Sequence, residues 1–184
     1  MALDRTTEAY RAYLDAQCAK TQRVSIASLR HPRVHHLARR WWSVAPTQGH
    51  AVLSVGCRNL HELHVLTGFG CRVTGIDLVA QSSPMIAMDM HALGFREASF
   101  DAIFACHSLE HAYDVSTVLA EWRRVTRPGG VWILEVPVRF VPTTSDLQDF
   151  GFLGGLRQAC CLTTELYACE FPGTPGRVQL IGRP

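Results

Sequence analysis

At 184 residues the chain is long enough for one domain with a full hydrophobic core and too short for two ordinary ones. A formal charge of +2 and a charged fraction of 18% argue against a nucleic-acid binder, and the longest apolar runs fall far below the roughly 18 to 20 residues that span a bilayer. With no apolar signal core after Met1, the expectation is a soluble, cytoplasmic protein with a small-molecule partner, no nucleic acid and no membrane.

Two helical patterns come first: Tyr10, Tyr13, Leu14 and Cys18, then Val34, Leu37, Ala38, Trp41, Trp42 and Ala45. The tryptophans are read as core or as a homodimer contact, and Arg39 and Arg40 as a solvated face. Pro46-Thr47-Gln48-Gly49 closes this preface, after which strands and helices alternate, the signature of a parallel sheet covered on both sides. Strands are read at Ala51 to Val55, Cys71 to Ile76, Met85 to Met88, Phe100 to Ala105 and Val131 to Val136, the last entered through a turn at Pro128-Gly129-Gly130. One helix follows the first strand through Leu60, Leu63 and Leu66. Another is capped by Asp114 and carries Val115, Val118, Leu119, Trp122 and Val125 on one face.

After Pro137 the pattern loosens into a loop, then resumes as an antiparallel pair, Leu166 to Phe171 and Val178 to Ile181, joined through Gly173, Pro175 and Gly176. The fold class is α/β: a doubly wound, Rossmann-like sheet of seven strands, mostly parallel with an antiparallel last strand, and two N-terminal helices. A single domain covers 1–184, made of a helical preface (1–49), a cofactor-binding core (50–138) and a lid loop with the last two strands (139–184). The seven cysteines include no C-x-x-C pair and are read as reduced core residues.

Residues able to do chemistry gather at one edge. Gly56, Asp77, Asp89 and the run His107 to His111 each follow the carboxyl end of a strand, and in an open α/β sheet that edge binds the ligand. Gly56 lets a ligand approach the backbone at the strand-to-helix break. Asp77 stands 21 residues further on, where an acid ending the second strand accepts both hydroxyls of a ribose.

These pieces resemble the class I S-adenosylmethionine-dependent methyltransferases, in particular the small bacterial type with a methyltransferase-11-like core. The resemblance covers residues 50 to 138. Its parts are Val52-Leu53-Ser54-Val55-Gly56-Cys57, Val73-Thr74-Gly75-Ile76-Asp77-Leu78, Asp89-Met90-His91-Ala92-Leu93, Ser99-Phe100-Asp101-Ala102-Ile103 leading to His107-Ser108-Leu109-Glu110-His111, and Arg124-Val125-Thr126-Arg127-Pro128-Gly129-Gly130. It implies S-adenosylmethionine as cofactor. Ser54, Gly56, Cys57, Arg58, Asn59 and His107 would surround its methionine part, Asp77 would take the ribose hydroxyls, Asp89 the adenine amine, and Leu78 and Met90 the ring faces.

The family carries an acid where this chain has Ser54 and glycines where it has Arg58 and Leu60; Arg58 is a candidate partner for the cofactor's carboxylate. The implied reaction is in-line displacement on the methyl group, with His111 first and His107 second as proton acceptor. Glu110, His111, Arg139 and Phe140 are candidate acceptor contacts, with Phe150 and Phe152 in the same lid loop. His31, His35, His36, His61 and His64 are read as surface residues. His107 to His111 also fits H-x-x-E-H, but the run follows a strand instead of lying along a helix, so no metal is assigned. Two rival readings stand beside methyl transfer: a non-catalytic methyltransferase-fold subunit, motivated by Ser54, Arg58 and Leu60, and an NAD(P)-dependent oxidoreductase, which shares the roles of Gly56 and Asp77.

Overall fold

The computed structural model describes residues 3–23 and 32–184, so His31 lies outside the described residues. Helices α1 (Glu8–Arg23) and α2 (Pro32–Val44) precede a sheet that begins with β1 (Ala51–Val55). Next come α3 (Leu60–Gly68), β2 (Arg72–Asp77), the two-residue β3 (Ile86–Ala87), β4 (Phe100–Cys106), a 3-10 turn at Leu109–His111 and α4 (Val115–Val125). The chain ends with β5 (Thr126–Val138), α5 (Leu153–Cys160), β6 (Thr164–Phe171) and β7 (Gly176–Arg183).

All seven strands form one sheet in the order β3-β2-β1-β4-β5-β7-β6. The first five are parallel, with Ala51 opposite Arg72 and Val52 opposite Ala102, while β7 runs antiparallel to both β5 and β6. Strands buried on both faces read as continuous apolar runs, which is why Val52 to Val55 and Ala102 to Cys106 are buried throughout. Leu53, Ile103 and Leu134 face a layer containing Leu119 and Trp122 of α4 and Leu156 of α5. Val52, Phe104 and Ile133 face Leu37 and Trp41 of α2 and Leu66 of α3. Strand order reverses between β1 and β4, so a crevice opens beyond their carboxyl ends. Among the described residues no helix is long and apolar enough to cross a membrane.

Four local features differ from the sequence reading. Pro128-Gly129-Gly130 is an irregularity inside the 13-residue β5, where the pairing of Phe100 with Thr126 jumps to Ala102 with Val131. Residues 153–160 form α5 despite Gly154 and Gly155, because burial of Leu156 and Cys160 outweighs a propensity cost of about 1 kcal/mol per glycine. Trp41 is fully buried but its neighbour Trp42 is 61% exposed. On α1 the buried side chains are Tyr10, Tyr13, Gln17 and Thr21, with Leu14 and Cys18 only half-buried. Such a face suits a polar cavity better than a core.

All seven cysteines are free; Cys57, Cys71, Cys106 and Cys160 are buried, whereas Cys161 is exposed in a left-handed cap.

Candidate functional site

Three residues at the crevice have left-handed backbone: Gly56 (φ 70°), Arg58 (φ 51°) and His107 (φ 55°). For Arg58 and His107 this costs on the order of 1 kcal/mol each, a strain that concentrates at functional sites. Gly56 N–H and Cys57 N–H both donate to Ile76 O, which folds the loop after β1 across the end of β2. Arg58 stands where the resembling family has a glycine, and its backbone keeps a glycine's conformation. The loop shape therefore survives the substitution, with a cation added to it.

Two adjoining cavities occupy the crevice. The first is lined by Gly56, Asp77, Leu78, Met88, Asp89 and Met90, and is covered by Tyr13, Gln17 and Thr21 of α1. Asp77 Oδ2 accepts from Arg58 N–H (3.1 Å) and Oδ1 from Val79 N–H (3.2 Å), leaving each carboxylate oxygen with acceptor capacity. Burial raises the Asp77 carboxyl above the usual carboxylate range. Asp89 is held more tightly. Tyr10 Oη donates to its Oδ2 at 2.6 Å, and the His91 backbone and Nδ1 lie 2.9 and 2.8 Å from Oδ1. His91 Nε2 accepts from Tyr113 N–H and Asp114 N–H, so its proton sits on Nδ1 and points at Asp89. Burial opposes ionisation of Asp89, but the His91 and Tyr10 hydrogen bonds outweigh it and hold its carboxyl low.

The second cavity, of about 240 Å³, shares Gly56, Arg58, His107 and His111 with the first and extends to Lys20, Arg33, Glu62 and Glu110. Ser54 Oγ donates to Glu62 Oε2 at 2.7 Å. Ser54 itself is fully buried behind the cavity wall, so the carboxyl that reaches the cavity here comes from α3 and not from β1. Burial pushes Glu62 up to about 8, and Glu110 likewise up to about 8. Glu110 is 2% exposed and its Oε2 has no hydrogen-bond partner among the described residues. Its Oε1 lies 3.6 Å from His107 Nδ1 and 3.9 Å from His111 Nε2.

His111 Nδ1 is 2.7 Å from Ser145 O and donates to it, so Nε2 carries the free lone pair. Burial, helped by the Lys20 charge, lowers His111 to about 4 and keeps the ring neutral. His107 spans two carboxyls, Glu110 on Nδ1 and Glu135 on Nε2 at 3.1 Å. Glu110, His111 and Asp146 each bring one potential metal-ligand atom within 4.8 Å of the others, a grouping the sequence reading did not foresee. The Lys20 ammonium, 2.8 Å from Asp146 Oδ1, already supplies a positive charge there, and no metal role is assigned.

The raised Glu62 carboxyl gives a pH signature. Its ordinary value is 4.5, so between about 4.5 and 8 the folded protein holds a proton the unfolded chain has lost, and stability falls as pH rises through that window. His111, lowered from 6.5, has the opposite effect below 6.5 and none above it. Between pH 6.5 and 8 the urea midpoint should therefore drop, with a slope of up to about 1.4 kcal/mol per pH unit for each such carboxyl. Glu62→Gln should remove part of that slope, leaving the contribution of Glu110. An unchanged slope in the variant would disprove the assignment.

Cys57 and Asn59 reach the second cavity, with local structural roles as well. Asn59 is the N-cap of α3, its Oδ1 accepting from His61 N–H at 2.9 Å, while the residue also lines the second cavity. The Cys57 thiol lies 3.5 Å from Ile76 O and packs with Leu63 and Met85; burial raises its pKa. Arg139 and Phe140 line neither cavity. Asp149 accepts from both backbones, and the Arg139 guanidinium pairs with Glu170 at 2.8 Å on the far side of the loop. Phe150 packs against the core and Phe152 is 60% exposed, so neither covers the site. His61, read as a surface residue, lines the second cavity, while His35, His36 and His64 are exposed as expected. Tyr10, His91, Glu62 and Glu135 join the site without having been singled out.

Residues 53–134 match the methyltransferase-domain family model. A ubiquinone biosynthesis O-methyltransferase of Paracidovorax citrulli is 30% identical over 136 residues, covering 53% of this chain and 56% of that protein. An O-methyltransferase of Penicillium expansum is 36% identical over 103 residues, covering 47% and 37%. The chain spans about half the length of the curated relatives it matches. Among solved structures, the Burkholderia thailandensis 1,6-didemethyltoxoflavin-N1-methyltransferase, crystallised with 1,6-didemethyltoxoflavin and S-adenosylhomocysteine, shares the fold. Its TM-score is 0.75 at 16% identity, with 100% of this chain and 92% of that one covered. By these matches, residues 53–134 carry a methyltransferase-domain core, and the whole chain shares the fold of solved methyltransferases.

Proposed function

We propose that this protein transfers a methyl group from S-adenosylmethionine to a small-molecule acceptor. The observation that carries the reading is the pair of adjoining cavities meeting at Gly56, Arg58, His107 and His111. One has the acids and apolar walls that suit a nucleoside; the other is large enough for a second reactant. The residues fit the cofactor. Asp77 and Asp89 offer acceptor capacity to ribose hydroxyls and an adenine amine, Leu78, Met88 and Met90 offer apolar faces, and a side chain at Gly56 would meet Ser108.

When bound, S-adenosylmethionine supplies a methyl group on a sulfonium that departs as a neutral thioether. Asp77 would hold the ribose, and the Arg58 guanidinium would meet the carboxylate of the methionine part. Glu110 and His107, on the wall of the second cavity, would orient the acceptor. Where that atom carries a proton, His111 Nε2 receives it, because hydrogen bonding to Ser145 O fixes the tautomer that leaves Nε2 open.

Thermal-shift titration with S-adenosylmethionine, S-adenosylhomocysteine and NAD tests the assignment. The first two should stabilise the protein, and Asp77→Ala should weaken them by at least about 100-fold, since it removes charge-assisted hydrogen bonds. Response to NAD alone would favour an oxidoreductase, and no response a non-catalytic binding subunit.

A further inference from the structure

The second cavity has a charge pattern that selects its occupant. We infer that it takes an acceptor bearing a carboxylate, held between the Arg33 guanidinium and the unpartnered Glu110 carboxyl on either side of the His107 ring. This rests on the methyltransferase reading and specifies its substrate class.

Geometry comes first. Arg33 Nη1 lies 3.5 Å from His107 Nε2, and His107 Nδ1 lies 3.6 Å from Glu110 Oε1, so the two groups flank one ring on one cavity wall. Glu110 Oε2 is a buried polar oxygen without a partner among the described residues. Leaving such a group unmatched is unfavourable, and a bound ligand can recover that cost. The Glu110 main chain is fixed, its carbonyl accepting from Leu147 N–H and Gln148 N–H at 2.9 Å, so the side chain cannot easily turn away.

The charge account gives the sign. Lys20 is paired with Asp146 at 2.8 Å. Among the described residues, neither Arg33 nor Arg58 has an ion-pair partner, and Arg58 is assigned to the cofactor's carboxylate. Arg33 is then the cation left for the acceptor, which matches a monoanion. Glu110 is faced by His107 and His111 on its own turn, by Lys20 of α1, Arg58 after β1, Asp146 and Cys106 of β4, and it shares the cavity with Arg33 and Glu62. Burial among these groups raises its carboxyl to about 8, so at neutral pH it is an O–H donor and does not repel an anion.

The test uses protein saturated with S-adenosylhomocysteine and two probes of similar size, benzoate and benzyl alcohol, with affinities read by ligand-observed NMR. Benzoate should bind at least about tenfold tighter than the alcohol, and Arg33→Gln should erase that preference. Arg33 is exposed and outside the first cavity, so the variant should still bind S-adenosylhomocysteine by calorimetry. Benzoate affinity should fall as pH rises from 7 to 9, and Glu110→Gln, a donor at every pH, should make that fall shallower, leaving the part contributed by Glu62 on the same cavity. Equal binding of the two probes, no benzoate binding at millimolar concentration, or indifference to Arg33→Gln overturns the inference. Failure of the wild-type protein to bind S-adenosylhomocysteine overturns the methyltransferase reading instead.

Discussion

Gly56→Val should leave a folded protein that no longer binds S-adenosylhomocysteine. At φ 70° the backbone is in the left-handed region, which a β-branched residue adopts only under strain of roughly 1–3 kcal/mol. Space is equally restrictive, because a Cβ at this position would sit 2.5 Å from Ser108 Cβ and push the loops after β1 and β4 apart. Those loops carry Arg58 and His107, which the two cavities share, so both binding sites change at once. The cost remains below the roughly 5–15 kcal/mol that stabilises an ordinary domain. Calorimetry should show no heat of binding while near-ultraviolet circular dichroism stays native-like. Wild-type affinity in the variant would mean that Gly56 does not shape the cofactor site.

Trp122→Ala should destabilise the fold by about 3–5 kcal/mol without touching the crevice. Trp122 is fully buried on α4 and packs edge-to-face on Trp132 of β5, ring centroids 5.7 Å apart. The surroundings cannot collapse easily into the vacated space. Thr126 Oγ1 donates to Trp122 O at 2.6 Å and accepts from Trp132 Nε1 at 3.0 Å, fixing the end of the helix to the strand. Trp42→Ala is the matched control, since that side chain is largely exposed and its loss should change the urea midpoint very little. A loss below about 1 kcal/mol for Trp122→Ala would show that the α4 layer is not the main core.

Much of this architecture was legible in the residues because local and global signals agree. Strands β1 and β4 are apolar runs interrupted only by Ser54 and Asp101, and Asp114 caps α4 with Oδ1 accepting from Thr117 N–H at 3.2 Å, as its position suggested. Asp77 and Asp89 were readable as cavity residues for a topological reason: Asp77 ends β2 and Asp89 follows closely after β3, at the edge where ligands bind. What stayed hidden depends on contacts between distant parts of the chain. Tyr10 meets Asp89 across 79 positions, and nothing in the local pattern of α1 distinguishes a tyrosine packed in a core from one that supports a carboxylate.

The misplacement of Arg139 has the same origin. It has the right chemistry for ligand contact, but its guanidinium satisfies an ion pair with Glu170. Ser54 looked like a weakened position when read alone. Its consequence becomes visible only when α3 brings Glu62 onto it from eight residues away.

The way α1 is attached bears on turnover. Its first half is anchored in an aromatic cluster of Tyr10, Tyr13, His91 and Tyr113, but its second half is held by hydrogen bonds that water can replace: Gln17 to Ser145 O, Lys20 to Asp146, and Gln81 to Thr21 O. Detaching that half would expose little apolar surface, so it should open at a free energy below that of global unfolding and uncover the first cavity, which Gln17 and Thr21 line. Substitutions at Gln17 or Gln81 should therefore speed the release of a ligand from the first cavity while leaving the urea midpoint nearly unchanged.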